Sequence, residues 1–381
     1  MQTYVERAIF PSIEKHLENF PCVALLGARQ VGKSTLAKKY IQSVENAIYL
    51  DLEDPVDMAK LRDVSAFLEV NSDKLICFDE IQRYPDIFQV FRSYLDKGKR
   101  HGQLLLLGSA SRDLIRQSFE SLAGRISYLE VTPFLANEVG DFKKLWLQGG
   151  YPESYLKESE FSDEWRRNYI QSFLERDIPN LGIKIAPRNL RRFWQMLAHS
   201  NGQLLNKAKL ASSMGMTAPT ITHYLDILEG TFILTQLQAY SSNAKKRLVK
   251  SPKIYMNDTG LLHTLLGLET MNDLLGHPVF GSSFESVVVT NILKNFPKHE
   301  ASFYRSSSGN EIDLVLEKGN RKICVEIKAS SSPKVSKGFF EALKFLNPDE
   351  AFVVANIKDS FPVSNDVEAC SLEDFLQKKI R

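Results

Sequence analysis

Two stretches of this 381-residue chain carry residue types at spacings that do chemistry. The first, GARQVGKS over Gly27–Ser34, fits the pattern GxxxxGK(S/T) in full. Gly27 and Gly32 let the backbone curl so that its N–H groups surround phosphates, with Arg29, Gln30, Val31 and Thr35 completing the loop and its exit. Lys33 is expected to reach the β- and γ-phosphates and Ser34 to coordinate Mg²⁺. The N-terminus of the following helix adds a favourable dipole. ATP and Mg²⁺ are the cofactors implied. A P-loop needs an acidic partner at a strand end, and LICFDE at 75–80 supplies Asp79 and Glu80. Asp79 is expected to hold the Mg²⁺ through water, and Glu80 to orient or activate the attacking water. In QLLLLGSAS, Ser109 sits where a polar residue can sense the γ-phosphate. Arg112 and Arg125 are both candidates for the arginine that stabilises charge in phosphoryl transfer, and the residues alone do not separate them.

The second stretch is GNEIDLVLEKGNRKICVEIKA at 309–329. Gly319-Asn320 is a two-residue turn with glycine first, as type II′ requires. Centring a hairpin there makes partner numbers sum to 639, so Asp313 faces Glu326 and Glu311 faces Lys328. Residues opposed across a ladder share a face, so these four side chains converge, with Ile312, Leu314, Val325 and Ile327 on the other side. Opposed carboxylates repel unless a cation lies between them, and hard divalent ions such as Mg²⁺ prefer carboxylate oxygen. Lys328 beside them is placed to orient a water or steady a phosphate, the arrangement of a phosphodiester hydrolase. The plainer alternative is a solvated strand face with exposed ion pairs of little worth.

The elements that must position these residues are legible. Apolar runs near 22–26, 47–51, 75–79, 103–107 and 126–131, with helical segments between, predict a parallel sheet covered on both faces. Its ligands belong at the carboxyl ends of the strands, where Gly27, Asp79 and Ser109 fall. From about 141 to 200 the period is helical, with Trp165, Tyr169 and Phe173, then Leu190, Phe193, Trp194 and Leu197, reading as core. A helix at 206–213, a turn at 214–216, a helix from Ala218 to Glu229 capped by Thr217, and a strand over 232–240 predict a winged helix-turn-helix. Its second helix offers Thr220, Thr222, His223 and Tyr224 but no Arg or Lys, which argues against base reading. NAKKRLVKSPK places Lys245, Lys246, Arg247, Lys250 and Lys253 together, a wing-tip cluster able to grip DNA phosphates without reading sequence. An amphipathic helix bearing Glu285 precedes the 309–329 hairpin, and helix 337–346, strand AFVVAN, a short strand near 367–370 and a last helix follow it.

Composition sets the bounds. Apolar residues at 43% and charged residues at 25% are those of a globular protein, and a net charge of +2 advertises no global nucleic-acid field. Cys22, Cys77, Cys324 and Cys370 lie far apart and read as buried, reduced thiols. No apolar run is long enough to span a bilayer, so a soluble, cytoplasmic protein with no membrane partner is expected.

The α-β-β-β-α-β order, with Asp313 on the second strand and Glu326-x-Lys328 on the third, resembles the PD-(D/E)XK nuclease superfamily. Glu285 matches the acidic residue often found on its first helix, and Ile312 replaces the usual proline. With GARQVGKST, ICFDEIQRYPDIF, LAGRISYLEVTPF, GGYPE, LERDI and PKIYMNDTGLL, nearly the whole chain resembles a prokaryotic family joining an AAA-type P-loop ATPase to a winged helix and a nuclease-like domain. The resemblance implies three α/β and helical parts: an ATPase domain at 1–185, a winged helix at 186–269 and a restriction-endonuclease-like domain at 270–381. It implies catalytic Glu80, Arg125, Glu285, Asp313, Glu326 and Lys328. Metal ligands would be Ser34 and Asp79 in one site and Glu285, Asp313 and Glu326 in the other. It also implies a homo-oligomer. Three functions compete: an ATP-dependent DNA-processing enzyme, a DNA-stimulated motor or branched-junction ATPase that does not cut, and a nucleotide-controlled signalling switch.

Overall fold

The computed structural model describes residues 4–98, 100–109, 121–241 and 249–380. The chain divides into two compact units, Met1–Phe134 with Gly230–Phe232, and Leu135–Glu229 with Ile233–Arg381.

In the first unit, β1 (Cys22–Gly27), β2 (Ala47–Asp51), β3 (Leu75–Asp79), β4 (Leu104–Ser109) and β5 (Ile126–Glu130) form one sheet in the order β2-β3-β4-β1-β5. Every neighbouring pair is parallel. The strands lie where the apolar runs predict them, because a parallel strand buried on both faces reads as an uninterrupted apolar stretch. Helices α1 (Phe10–Asn19), α2 (Lys33–Ile41), α3 (Pro55–Lys60), α4 (Val64–Val70) and α5 (Ile87–Lys97) lie among the strands. α5 buries Phe88, Phe91 and Leu95 from one stripe, with Phe91 tilted on Phe78 of β3. Each such burial contributes roughly 2–3 kcal/mol. Parallel pairing has one consequence for function: Gly27, Asp79 and Ser109 all end strands at the same edge of the sheet.

The second unit opens with α6 (Phe142–Gln148), α7 (Pro152–Leu156), α8 (Ser159–Ser172), a π-helical turn at Phe173–Asp177, α9 (Ile178–Asn180) and α10 (Pro187–His199). Next come α11 (Lys207–Met214), α12 (Ala218–Gly230), and β6 (Leu234–Leu237) paired antiparallel with β7 (Lys253–Met256). Gly215 ends α11 at φ 64°, and the Thr217 hydroxyl accepts from Thr220 N, the expected turn and cap. The strand expected over 232–240 is regular only at Leu234–Leu237.

After α13 (Thr259–Leu266), α14 (Met271–Leu275) and α15 (Phe280–Asn295), a six-stranded mixed sheet follows. It contains β8 (Glu300–Arg305), β9 (Glu311–Lys318), β10 (Arg321–Lys328), β11 (Glu350–Ala355), β12 (Phe361–Ser364) and β13 (Val367–Cys370), with α16 (Lys337–Leu346) and α17 (Leu372–Ile380). Its order is β12-β13-β11-β10-β9-β8. β12 was not foreseen; it is short, largely exposed and so carries little apolar signal. All four cysteines are buried and free.

Boundaries expected at 185 and 269 do not coincide with the edges of these units. A clasp between distant segments explains this. Asp258 Oδ2 accepts from Gly150 N at 2.7 Å, and Thr259 Oγ1 donates to the Trp146 carbonyl at 2.7 Å. Trp146 Nε1 and His263 Nε2 both lie within 2.9 Å of Ser283 Oγ. A Cβ on Gly260 would stand 2.1 Å from the Gln148 carbonyl oxygen, so the backbones meet there only through glycine. The GGYPE and NDTGLL stretches, chemically mute in the sequence, are the two halves of this clasp.

Candidate functional site

The first site lies at the carboxyl edge of the parallel sheet. Gly27 packs so closely that an added Cβ would stand 2.1 Å from the Val131 carbonyl oxygen. The loop turns through Gln30 at φ 62° and Gly32 at φ 92°, and α2 starts without a side-chain cap. Its first N–H groups are thus left to an anion. Lys33 is buried, and its ammonium donates to the carbonyls of Gly27 (3.1 Å) and Ala28 (2.8 Å). Burial holds it down to about 8, against the pull of Glu80 and Asp79. Ser34 is half-buried and Thr35 exposed on the same first turn. Arg7, which carried no motif signal, braces the loop from behind by donating to Val31 O (3.1 Å) and Thr132 O (2.7 Å).

Asp79 is buried at the end of β3, where its Oδ2 accepts from the Tyr49 hydroxyl and its Oδ1 from Glu80 N at 2.9 Å. Glu80 stands at φ 55°, a left-handed conformation rare for a non-glycine residue and typical of strained functional positions. Burial and then Asp79 raise its carboxyl above the usual range, while Gln82 donates to it. Backbone pairing sets Ser109 beside Gly27. Arg112 lies outside the described residues. Arg125 sits at the wrong end of the sheet to serve this site from its own chain. Its carbonyl accepts from Cys22 N, at the start of β1, whereas the loop leaves the end of that strand. The strand between spans roughly 17 Å at 3.3 Å per residue. Its guanidinium is bound to Asp96 at 2.5 Å and to the Ala123 carbonyl.

The second site lies on the C-terminal sheet. Hairpin pairing runs from Arg321↔Lys318 to Val325↔Leu314, every pair summing to 639, so the register read from the turn is found. Gly319 takes φ 60°. Asp313 and Glu326 are both buried, and the Asp313 Oδ2 atom accepts from Ile327 N at 3.0 Å. Lys328 Nζ donates to Glu326 Oε1 at 2.6 Å. Glu285 reaches the group from α15. Regular pairing within the hairpin ends at Val325↔Leu314; on its other side Glu311 pairs with Arg305 of β8, and its Oε1 lies 2.8 Å from Lys253 Nζ.

A residue absent from the expected set stands at the centre. Lys253 of β7 is buried, with its Nζ 2.9 Å from Glu285 Oε1, 2.8 Å from Glu311 Oε1 and 3.1 Å from Asp313 Oδ1. Tyr255, next on the same face of β7, donates to Glu285 Oε1 at 2.5 Å. Burial alone would lower the lysine, but Glu285 and Asp313 more than offset it and hold the ammonium above its usual range. Burial, then Asp313, raises both Glu285 and Glu326 well above ordinary carboxylates. The wing-tip role expected of Lys253 is therefore corrected; Lys250 is exposed, and Lys245, Lys246 and Arg247 lie outside the described residues. Tyr224 is core as well, packed edge-on against Phe193. Alternation of Lys253 and Tyr255 in the run KIYM was the one available signal, since polar residues two apart in a strand share a face.

The metal set expected of Glu285, Asp313 and Glu326 is not assembled. Among the described residues no group of three or more His, Cys, Asp or Glu side chains is placed to hold an ion. Oxygens of Glu285 and Asp313 converge instead on the Lys253 ammonium, while Glu326 pairs with Lys328. A cavity of about 630 Å³ lies alongside, lined by Lys253, Glu285, Asp313, Glu326, Lys328 and Arg305 among others.

The parallel sheet, glycine loop, buried lysine and acidic strand end define a P-loop AAA-type nucleotide-binding domain. Residues 19–140 match the family model described as an AAA domain, and residues 139–272 and 280–375 match two domains of unknown function, DUF8612 and DUF4143. An uncharacterized protein of Mycobacterium tuberculosis is 38% identical over 367 residues, covering 96% of this chain and 83% of its own. The chain belongs to the family of that protein. An uncharacterized protein of Haemophilus influenzae is 22% identical, covering 79% of this chain and 80% of its own. The Walker-type ATPase of Pyrococcus abyssi shares the fold at a TM-score of 0.50 and 16% identity, covering 69% of this chain and 96% of that one. Among the described residues no helix is long and apolar enough to cross a membrane.

Proposed function

We propose that the protein is a cytoplasmic ATP hydrolase that acts on DNA, with nucleotide turnover in the first unit and a nuclease-like domain that holds DNA at the C-terminus. The observation that carries the first part is the buried Lys33 ammonium on its own loop carbonyls, beside buried Asp79 and half-buried Glu80. On nucleotide binding Lys33 exchanges Gly27 and Ala28 for the β- and γ-phosphates, and the amides of residues 29–34 enclose the rest. Ser34 and Asp79 are the residues that would hold Mg²⁺, which supplies charge neutralisation between the phosphates. Glu80, held near Gln82, orients the attacking water, and Ser109 senses the γ-phosphate. Thr35 completes the nucleotide contacts.

Support for the DNA part is the joining of a winged-helix order of elements, a basic segment at 245–250 and the Asp313–Glu326–Lys328 face. Lys253 among the carboxylates favours a domain that holds DNA over one that cuts it, and no cleavage step is derived. Family resemblance alone suggests a homo-oligomer. The test is ATP turnover with and without linear and branched DNA. Glu80→Gln is expected to lower turnover about a hundredfold or more while retaining ATP. DNA is expected to stimulate the wild type without being cut in Mg²⁺ or Mn²⁺. Absence of turnover would sink the first part, and cleavage abolished by Asp313→Ala would replace holding by cutting.

A further inference from the structure

We propose that Lys253 is the resident cation of the C-terminal carboxylate cluster, occupying the place of a divalent metal, so that lysine and metal are mutually exclusive there. The inference rests on the nuclease-like reading of Asp313, Glu326 and Lys328, but on neither ATP turnover nor DNA. Its basis is geometric. Three carboxylate oxygens from α15 and β9 stand 2.8–3.1 Å from one ammonium, and two of them, Glu285 Oε1 and Asp313 Oδ1, are those an ion bridging helix and hairpin would need. The remaining capacity of these groups is partly committed, to the Tyr255 hydroxyl and to Ile327 N. A second cation entering beside Nζ would meet a like charge at contact distance in a poorly solvated pocket, where repulsion is large.

Nor is Lys253 a surface lysine that happens to lie there. Its backbone is fixed opposite Leu237 in the β6–β7 ladder and bridged to Leu204 on its other side. The segment after β6 is itself stitched to β8, through Tyr240 N to Phe303 O and Phe303 N to Gln238 O. Its ammonium also lies over the Phe303 ring at 5.6 Å. The lysine is thus delivered by the strand pair that follows the helix–turn–helix, and the cluster is complete only while β7 keeps its position. One acceptor is left over: Glu326 lines the same cavity, and its Oε2 is buried with no hydrogen-bond partner. An acceptor of that kind is what a cation would satisfy if Lys253 were gone.

The test uses the nucleotide-free full chain and Mn²⁺ as probe, read by titration calorimetry and by the Mn²⁺ paramagnetic resonance signal. Wild type and Asp313→Asn should take up Mn²⁺ indistinguishably. Lys253→Met, which keeps the unbranched stem but lacks the terminal ammonium, should gain one site at least about tenfold tighter than any in the wild type. Adding Asp313→Asn to that variant should abolish the gain, and Mn²⁺ should raise the melting temperature of Lys253→Met alone. A wild-type Mn²⁺ site lost in Asp313→Asn would overturn the proposal. A folded Lys253→Met protein without the new site would do the same. Should Lys253→Met fail to fold, the comparison of wild type with Asp313→Asn still decides. Failure of ATP turnover or DNA binding would leave the Mn²⁺ result untouched.

Discussion

Lys33 gives a prediction whose size follows from the loop itself. Its ordinary value of 10.5 is lowered to about 8 because burial strips water from the ammonium faster than Glu80, Asp79 and two carbonyls replace it. Only the protonated form serves phosphate. As pH rises through about 8 the free protein loses that proton, and binding nucleotide must take it back from solvent. The apparent dissociation constant should then grow by the factor 1 + 10^(pH − 8): little change at pH 7, and about tenfold weaker binding at pH 9. Fluorescent-nucleotide titrations in Mg²⁺ from pH 7 to 9 measure this directly. Lys33→Arg, which stays charged throughout, supplies the flat reference for all other titrations. The same burial acts on stability with the opposite sense. A lysine lowered on folding opposes the folded state while it is charged, and the opposition fades as pH rises from about 8 toward 10.5. At 1.36 kcal/mol per pH unit the gap is worth roughly 3 kcal/mol at neutral pH. Lys33→Met should therefore lose nucleotide yet melt higher than the wild type. A wild-type affinity flat to pH 9, or a Lys33→Met protein that melts lower, would refute the reasoning.

Other residues give sharper, smaller tests. Gly27→Ala places a methyl 2.1 Å from the Val131 carbonyl oxygen, so the loop must shift; about 1–3 kcal/mol of stability and most nucleotide affinity should go, read by chemical denaturation and titration. Asp258→Ala orphans Gly150 N and uncaps Leu261 N in a buried clasp, and should cost about 2–4 kcal/mol in denaturant unfolding with ATP affinity kept. Arg125→Ala removes a residue bound to Asp96 at the far end of the sheet. It should change turnover by less than about threefold, whereas loss of an arginine finger costs about a thousandfold or more.

Local order made much of this legible beforehand. A parallel strand announces itself as a short apolar run, so all five strands of the first unit and the ends that carry Gly27, Asp79 and Ser109 could be placed from period and punctuation. The β9–β10 register needed only Gly319-Asn320 and the two-residue alternation, because a tight turn leaves one way to pair its arms. Exposed β12 packs few side chains and so leaves a weak pattern, whereas in 232–240 the apolar run is buried at Ile233, Leu234 and Leu237 but regular pairing is confined to Leu234–Leu237.

What the sequence by itself determined are the features whose causes lie within a few residues: the phosphate loop, the acidic strand end, the hairpin and the face shared by Asp313 and Glu326. Tertiary structure alone decided which distant groups meet them. It put Arg125 at the opposite end of its sheet, joined Gly150 to Asp258, and carried Lys253 across sixty positions to Asp313. The reason is physical. Hairpin and loop geometry follow from backbone dihedrals, but the partner of a buried charge depends on strand order and on which elements share a surface. Alternation in KIYM sets Lys253 and Tyr255 on one face, but which carboxylates that face meets is decided only by where β7 lies.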